Sequence, residues 1–120
     1  MTTRNTIQSY FESLREKGGW EAILADDIAF TSFATPIKHV TGKGAYLEAT
    51  KRFFSMIKAL DVKGILVDGE RACASTRYEL QAPGGSGFES HVAELFVVRD
   101  GKITSLEIYF DSAPFPKTKS

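Results

Sequence analysis

Apolar positions along this chain follow two periods, helical in the first half and alternating in the second. From residue 6 to 17, Ile7, Tyr10, Phe11 and Leu14 fall at i, i+3, i+4, i+7 spacing. That spacing predicts an amphipathic helix, which Gly18-Gly19 then stops. Trp20, Ile23 and Leu24 predict a second, short helix, and the aromatic and β-branched residues of 28–33 predict a strand that Pro36 breaks. Tyr46, Leu47, Thr50, Phe53, Phe54, Ile57 and Leu60 repeat with helical period, which predicts the longest helix over 45–60. Strands follow at 62–67, 71–81, 88–98 and 103–110, separated by turn signals at Asp68-Gly69, Pro83-Gly84-Gly85 and Asp100-Gly101. The tail from Ser112 carries Pro114, Pro116 and two lysines and reads as coil, with Phe115 placed to fold back over an apolar opening.

Because side chains alternate across a strand, the hairpin turns decide which set points inward. A two-residue turn at Asp100-Gly101 pairs Val98 with Ile103, Leu95 with Leu106 and Ala93 with Ile108. Ala93, Leu95, Val97, Leu106, Ile108 and Phe110 then face the helices. Val92, Glu94 and Phe96 fall on the other face, beside Glu107 and Tyr109. That mixed face, with Arg77 as counter-ion for Glu94 and Glu107, reads as a homodimer interface. On the strand at 71–81, Ala72, Ala74, Thr76, Tyr78 and Leu80 share the inward face.

Composition narrows the function classes. With 120 residues the chain has the length of one domain, about 7–111 forming its core. Lys plus Arg and Asp plus Glu balance at 15 each, so no surplus of charge draws it onto nucleic acid or an anionic membrane. The polar start lacks the apolar stretch of a secretion signal, and no segment has the length of a membrane helix. Cys73, the one cysteine, suits a reducing compartment. The expectation is a cytoplasmic protein.

The element order, Ala25-Asp26-Asp27 ahead of the first strand, Arg99-Asp100-Gly101-Lys102-Ile103 and Ile108-Tyr109-Phe110-Asp111 resemble the nuclear transport factor 2-like superfamily, in its SnoaL-like and ketosteroid-isomerase-like branch. The resemblance runs from about residue 7 to 111. It implies a cone-shaped, cystatin-like α+β fold in which three helices pack on a curved antiparallel sheet, a deep pocket, and dimers through the outer sheet face. Members include isomerases, polyketide cyclases, epoxide hydrolases, dehydratases and binding modules. A ketosteroid isomerase uses an Asp base with an oxyanion hole built from a Tyr and a protonated Asp. Aligned on these motifs, the base falls on Ser32 or Phe33, the tyrosine on Phe11 with Tyr10 beside it, and the acid on Ala93. The isomerase triad is therefore expected to be absent, and no Asp, Arg, Asp set of the epoxide hydrolases is evident.

The remaining polar candidates sit on two strands. A tight turn at Pro83-Gly84 pairs Thr76 with His91 and Tyr78 with Glu89. Glu89 would then orient His91 as a general acid or base, while Thr76 and Tyr78 donate to a substrate oxygen. The apolar wall expected around them comes from Phe11, Trp20, Phe30, Phe54, Ile57, Ala93, Leu95, Leu106, Ile108 and Phe110, with Ser32 as a further hydrogen-bonding group. His39 lies in the loop before the long helix and ranks below His91. Two histidines without spaced ligands give no metal motif, and Gly42-Lys43-Gly44 lacks the spacing of a phosphate loop, so no cofactor is expected. Three readings fit this pattern: an acid–base enzyme acting on a small apolar carbonyl or cyclic compound, a ligand carrier, or a dimeric interaction module.

Overall fold

The computed structural model describes residues 2–34 and 36–115. Helix α1 (Thr3–Arg15) starts where the Thr2 side chain accepts from the Asn5 N–H at 3.0 Å, capping an otherwise unpaired donor. A single 3₁₀ turn (Trp20–Ile23) takes the place of the expected second helix, entered through Gly19 at φ 93°. Then come β1 (Leu24–Ser32), β2 (Lys38–Thr41), α2 (Lys43–Met56), β3 (Ile57–Asp68), β4 (Arg71–Gln81), β5 (Gly87–Arg99) and β6 (Lys102–Phe110). The strands form one sheet in the order β2-β1-β6-β5-β4-β3. All neighbours are antiparallel except β1 and β6, which run parallel, so the sheet is mixed rather than wholly antiparallel.

Two expectations change here for one physical reason. The long helix ends at Met56, and the chain passes straight into β3. Ile57 pairs with Leu80, Lys58 is an extra residue, and Leu60 pairs with Tyr78. The bulge leaves both Ile57 and Leu60 buried although they stand three apart, a spacing that copies a helix turn. The same device recurs in the last hairpin. Arg99 pairs with Lys102 and Val98 with Ile103 as the tight turn requires, but Val97 then pairs with Ser105, leaving Thr104 extra. Its hydroxyl donates back to the Val97 carbonyl at 3.2 Å.

Beyond that bulge the register differs by one residue from the simple hairpin. Phe96 faces Leu106 and Glu94 faces Ile108. At the other end of β5 the connection occupies residues 82–86, longer than a tight turn, and Thr76 pairs with Val92 and Tyr78 with Ser90. Both shifts have the same sign. Ser90, Val92, Glu94, Phe96 and Val98 are therefore the buried side of β5, and His91, Ala93, Leu95 and Val97 look outward. The inward face of β4 is the expected one, with Ala72, Ala74, Thr76, Tyr78 and Leu80 all buried.

The core fills the space between the concave sheet face and the helices. Tyr10 and Phe11 of α1 meet Phe96 edge-to-face, with ring centroids 5.8 and 6.0 Å away. Among the described residues, no helix is long and apolar enough to cross a membrane.

Candidate functional site

Next to that aromatic cluster, with Tyr10 in its wall, the space between β4–β6 and α2 stays open as a cavity of about 390 Å³. Its wall is largely aromatic. Phe30 packs on Tyr46 at 5.0 Å, and Phe53 packs on Tyr78 at 5.1 Å. The chain after β6 turns back so that Phe115 stacks over Phe53 and touches Phe88 and Phe110. Phe115 thus covers one side of the cavity, held by these ring contacts and by a short turn, Phe115 N–H to the Ser112 carbonyl at 3.0 Å.

The polar groups in this apolar lining are few. Glu94 projects from β5 with 4 % of its surface exposed. Tyr78, beside it on β4, donates its hydroxyl to Glu94 Oε2 at 2.9 Å. Burial raises the Glu94 carboxyl from its ordinary 4.5 to about 7, because the charged form loses its hydration; the Thr76 and Tyr78 hydroxyls pull it back only in part. Tyr10 and Tyr46, one from each helix, share a hydrogen bond at 3.0 Å. Burial, with Glu94 adding to it, raises Tyr10, Tyr46 and Tyr78 alike, so all three remain neutral hydroxyl donors across the physiological range. The Thr76 Oγ1 lies near enough to lower the Glu94 pKa, yet it makes no hydrogen bond of full geometry, and the Ser90 Oγ is likewise unpaired.

The site therefore consists of one buried carboxyl near half-ionisation at neutral pH and three neutral phenols. Such a carboxyl can accept a proton and give it back within the same cavity. Among the described residues no group of His, Cys, Asp and Glu is placed to hold a metal.

The sequence model of the SnoaL-like domain family matches residues 7–106. The chain belongs to that family. Solved structures agree on the fold. A candidate SnoaL-like polyketide cyclase from Mesorhizobium loti superposes with a TM-score of 0.74 at 22% identity, covering 91% of this chain and 99% of the other. An LEH-like epoxide hydrolase from M. tuberculosis gives 0.74 at 20% identity over 91% and 82%. A candidate ketosteroid isomerase from Kribbella flavida gives 0.72 at 22% identity over 98% and 80%. At these identities the likeness establishes a nuclear transport factor 2-like fold. No curated protein matches the sequence.

Within this SnoaL-like cavity the expected ligand residues Phe30, Ser32, Phe54, Tyr78, Leu106, Ile108 and Phe110 do come together. Others lie elsewhere. Phe11 is core, Thr76 is buried outside the lining, and Trp20 and Ile57 line a second concavity between α1, the 3₁₀ turn and α2. Ala93 and Leu95 point away, on the outer face, because of the register shift.

The pair Glu89 and His91 is also on the outer face, which corrects its expected place in the pocket. The two side chains approach to 3.7 Å but are 55% and 59% exposed. Glu89 instead joins Asp61 in holding Arg77, both at 2.8 Å. His39 belongs to β2 rather than a loop, and its Nδ1 meets the Thr31 hydroxyl at 2.8 Å in solvent. Sequence reasoning missed Glu94, Tyr10 and Tyr46. The available signal for Glu94 was its neighbours: the even-numbered set Phe88, Val92, Phe96 and Val98 is bulkier than the odd set it was weighed against.

Proposed function

We propose that this SnoaL-like chain carries out cofactor-free acid–base chemistry on a small apolar carbonyl or cyclic compound, as an isomerase, cyclase, dehydratase or hydrolase. The observation that supports this most is a single carboxyl, poised near pH 7, at the buried end of a largely aromatic cavity. Glu94 takes the proton from a carbon next to the carbonyl and returns it to the same or a conjugated carbon. Once Glu94 carries the proton it can donate to the Tyr78 oxygen, which frees that hydroxyl to donate to the substrate oxygen on which charge gathers, and the Tyr10–Tyr46 pair has one further O–H to give. A tyrosine and a raised carboxyl are also group types that a ketosteroid isomerase employs, but here the acid would have to act as the base as well, since Ser32 lines the wall where that enzyme's base would fall.

The same shortage of a second titratable partner favours one further reading, a carrier that binds such a ligand without changing it. Proton exchange separates the two. A panel of cyclic ketones is incubated with the protein in deuterium oxide, and exchange next to the carbonyl is followed by NMR. Catalysed exchange that falls to the buffer rate in Glu94→Gln is the expected result. Ligand binding with exchange no faster than buffer would leave the carrier reading and overturn the catalytic one.

We also propose that a second copy of the chain covers the outer sheet face. Of the expected interface set, Arg77, Glu107 and Tyr109 face outward, whereas Val92, Glu94 and Phe96 line the interior and are removed from it. Leu66, Leu95 and Tyr109 are exposed there to 77, 37 and 43%, with Tyr109 stacked on Phe33 at 4.6 Å. Burying that apolar area against its own copy supplies the driving force. Light scattering is expected to give twice the chain mass at micromolar concentration and the single mass for Leu95→Asp; a monomeric wild type would refute this.

A further inference from the structure

The cavity mouth carries charge of one sign. Among the described lining residues, Glu94 is the one acid, and it lies at the buried end. Lys38 on β2 and Arg52 on α2 also line the cavity, and both are exposed, as the rim position requires. They come from different elements, one of the sheet and one helical. Neither belongs to any ion pair among the described residues, in contrast to Arg77, Arg99, Arg15 and Lys43, which all have acidic partners. Their alkyl stems extend the apolar wall toward solvent while the charged ends stay hydrated.

From this arrangement we infer that the ligand is an amphipathic carboxylate: an apolar ring or chain whose carbonyl reaches Glu94 and Tyr78, and whose carboxylate stays at the mouth between Lys38 and Arg52. The inference rests on the cavity being a small-molecule site. Polarity within the lining dictates the orientation. A carboxylate forced to the deep end would be buried beside Glu94, where desolvation and like charge both oppose it. At the mouth it keeps much of its hydration and gains two unpaired cations. Because the exchange is between partly solvated groups, the gain is modest and salt-dependent. The consequence is selectivity among ligands of the same apolar body rather than tight binding on its own.

Displacement of the neutral fluorophore N-phenyl-1-naphthylamine by 1-naphthylacetate and by its methyl ester tests this. The two competitors share a ring and differ in charge. In Lys38→Gln/Arg52→Gln the affinity of the carboxylate relative to the ester is expected to fall about 5- to 10-fold at low ionic strength, with the ester itself unchanged. Added salt should erase the same advantage in the wild type. Lys51→Gln, at the second concavity, should leave the ratio as it was. A ratio unaltered in the double variant overturns the anionic-ligand inference while leaving the cavity as a binding site. Failure of the fluorophore and both competitors to bind overturns the cavity reading and this inference together.

Discussion

Glu94→Gln is expected to make the fold more stable above pH 7 and to remove most of the pH dependence below it. In the folded chain the Glu94 carboxyl holds its proton more tightly than in the unfolded chain, its pKa standing at about 7 against 4.5. Such a group favours the folded state fully below pH 4.5. That contribution is lost as pH rises through 7, because the buried carboxylate must then be carried without its hydration. A displacement from 4.5 to about 7 amounts to about 3 kcal/mol. Gln has nearly the same shape and keeps an oxygen to accept from Tyr78, so it avoids the charged state without opening a cavity. Urea denaturation from pH 5 to pH 8 should show wild-type stability declining and the variant nearly level, with the largest gap at the alkaline end. A wild-type profile as flat as that of the variant would mean that Glu94 is hydrated in the folded state.

The second large effect distinguishes neighbours. Phe96→Ala should cost about 3 to 5 kcal/mol, the usual loss for a fully enclosed phenylalanine. Its ring is 1% exposed and sits against Tyr10 and Phe11 and opposite Leu106. Leu95→Ala, one position away on the outer face and 37% exposed, should cost under about 1 kcal/mol in the folded monomer. Chemical denaturation of both variants at low protein concentration measures the contrast directly. If the two costs were reversed, the register of β5 would be that of an unbulged hairpin and Glu94 would face outward.

Much of the architecture was legible in the residue pattern. The i, i+3, i+4 spacing on α1, the strand faces of β4 and the Asp100-Gly101 turn all follow from local rules, and each is found as expected. The strand β2 is not foreseen because Lys38–Thr41 is short, polar at three of its four positions and begins two residues after Pro36. The end of α2 and the face of β5 were misjudged for a shared reason. At Lys58 and at Thr104 one extra residue interrupts strict alternation, so buried apolar residues stand three apart, as at Ile57 and Leu60 or Ile103 and Leu106. Nothing in the composition of Lys58 or Thr104 marks a bulge, since a bulge is defined by the pairing with the partner strand and not by the residue itself. The seven expected residues that do line the cavity come from β1, α2, β4 and β6, and on β6 Leu106, Ile108 and Phe110 all lie beyond Thr104, so they keep one shared face while β5 is displaced against them. The acid was lost with the register.

Thr104 has a further consequence for how relatives of this chain are compared. The extra residue stands outside the pairing that sets the faces, since Val98 with Ile103 and Phe96 with Leu106 are buried pairs on either side of it. Removing it would restore strict alternation and still leave Phe96 opposite Leu106 and Glu94 opposite Ile108, so the inward set of β5 would be kept. Among relatives, a one-residue gap beside the last turn would therefore not by itself signal a different internal chemistry, whereas an alignment forced through without that gap would set the carboxyl against an outward residue.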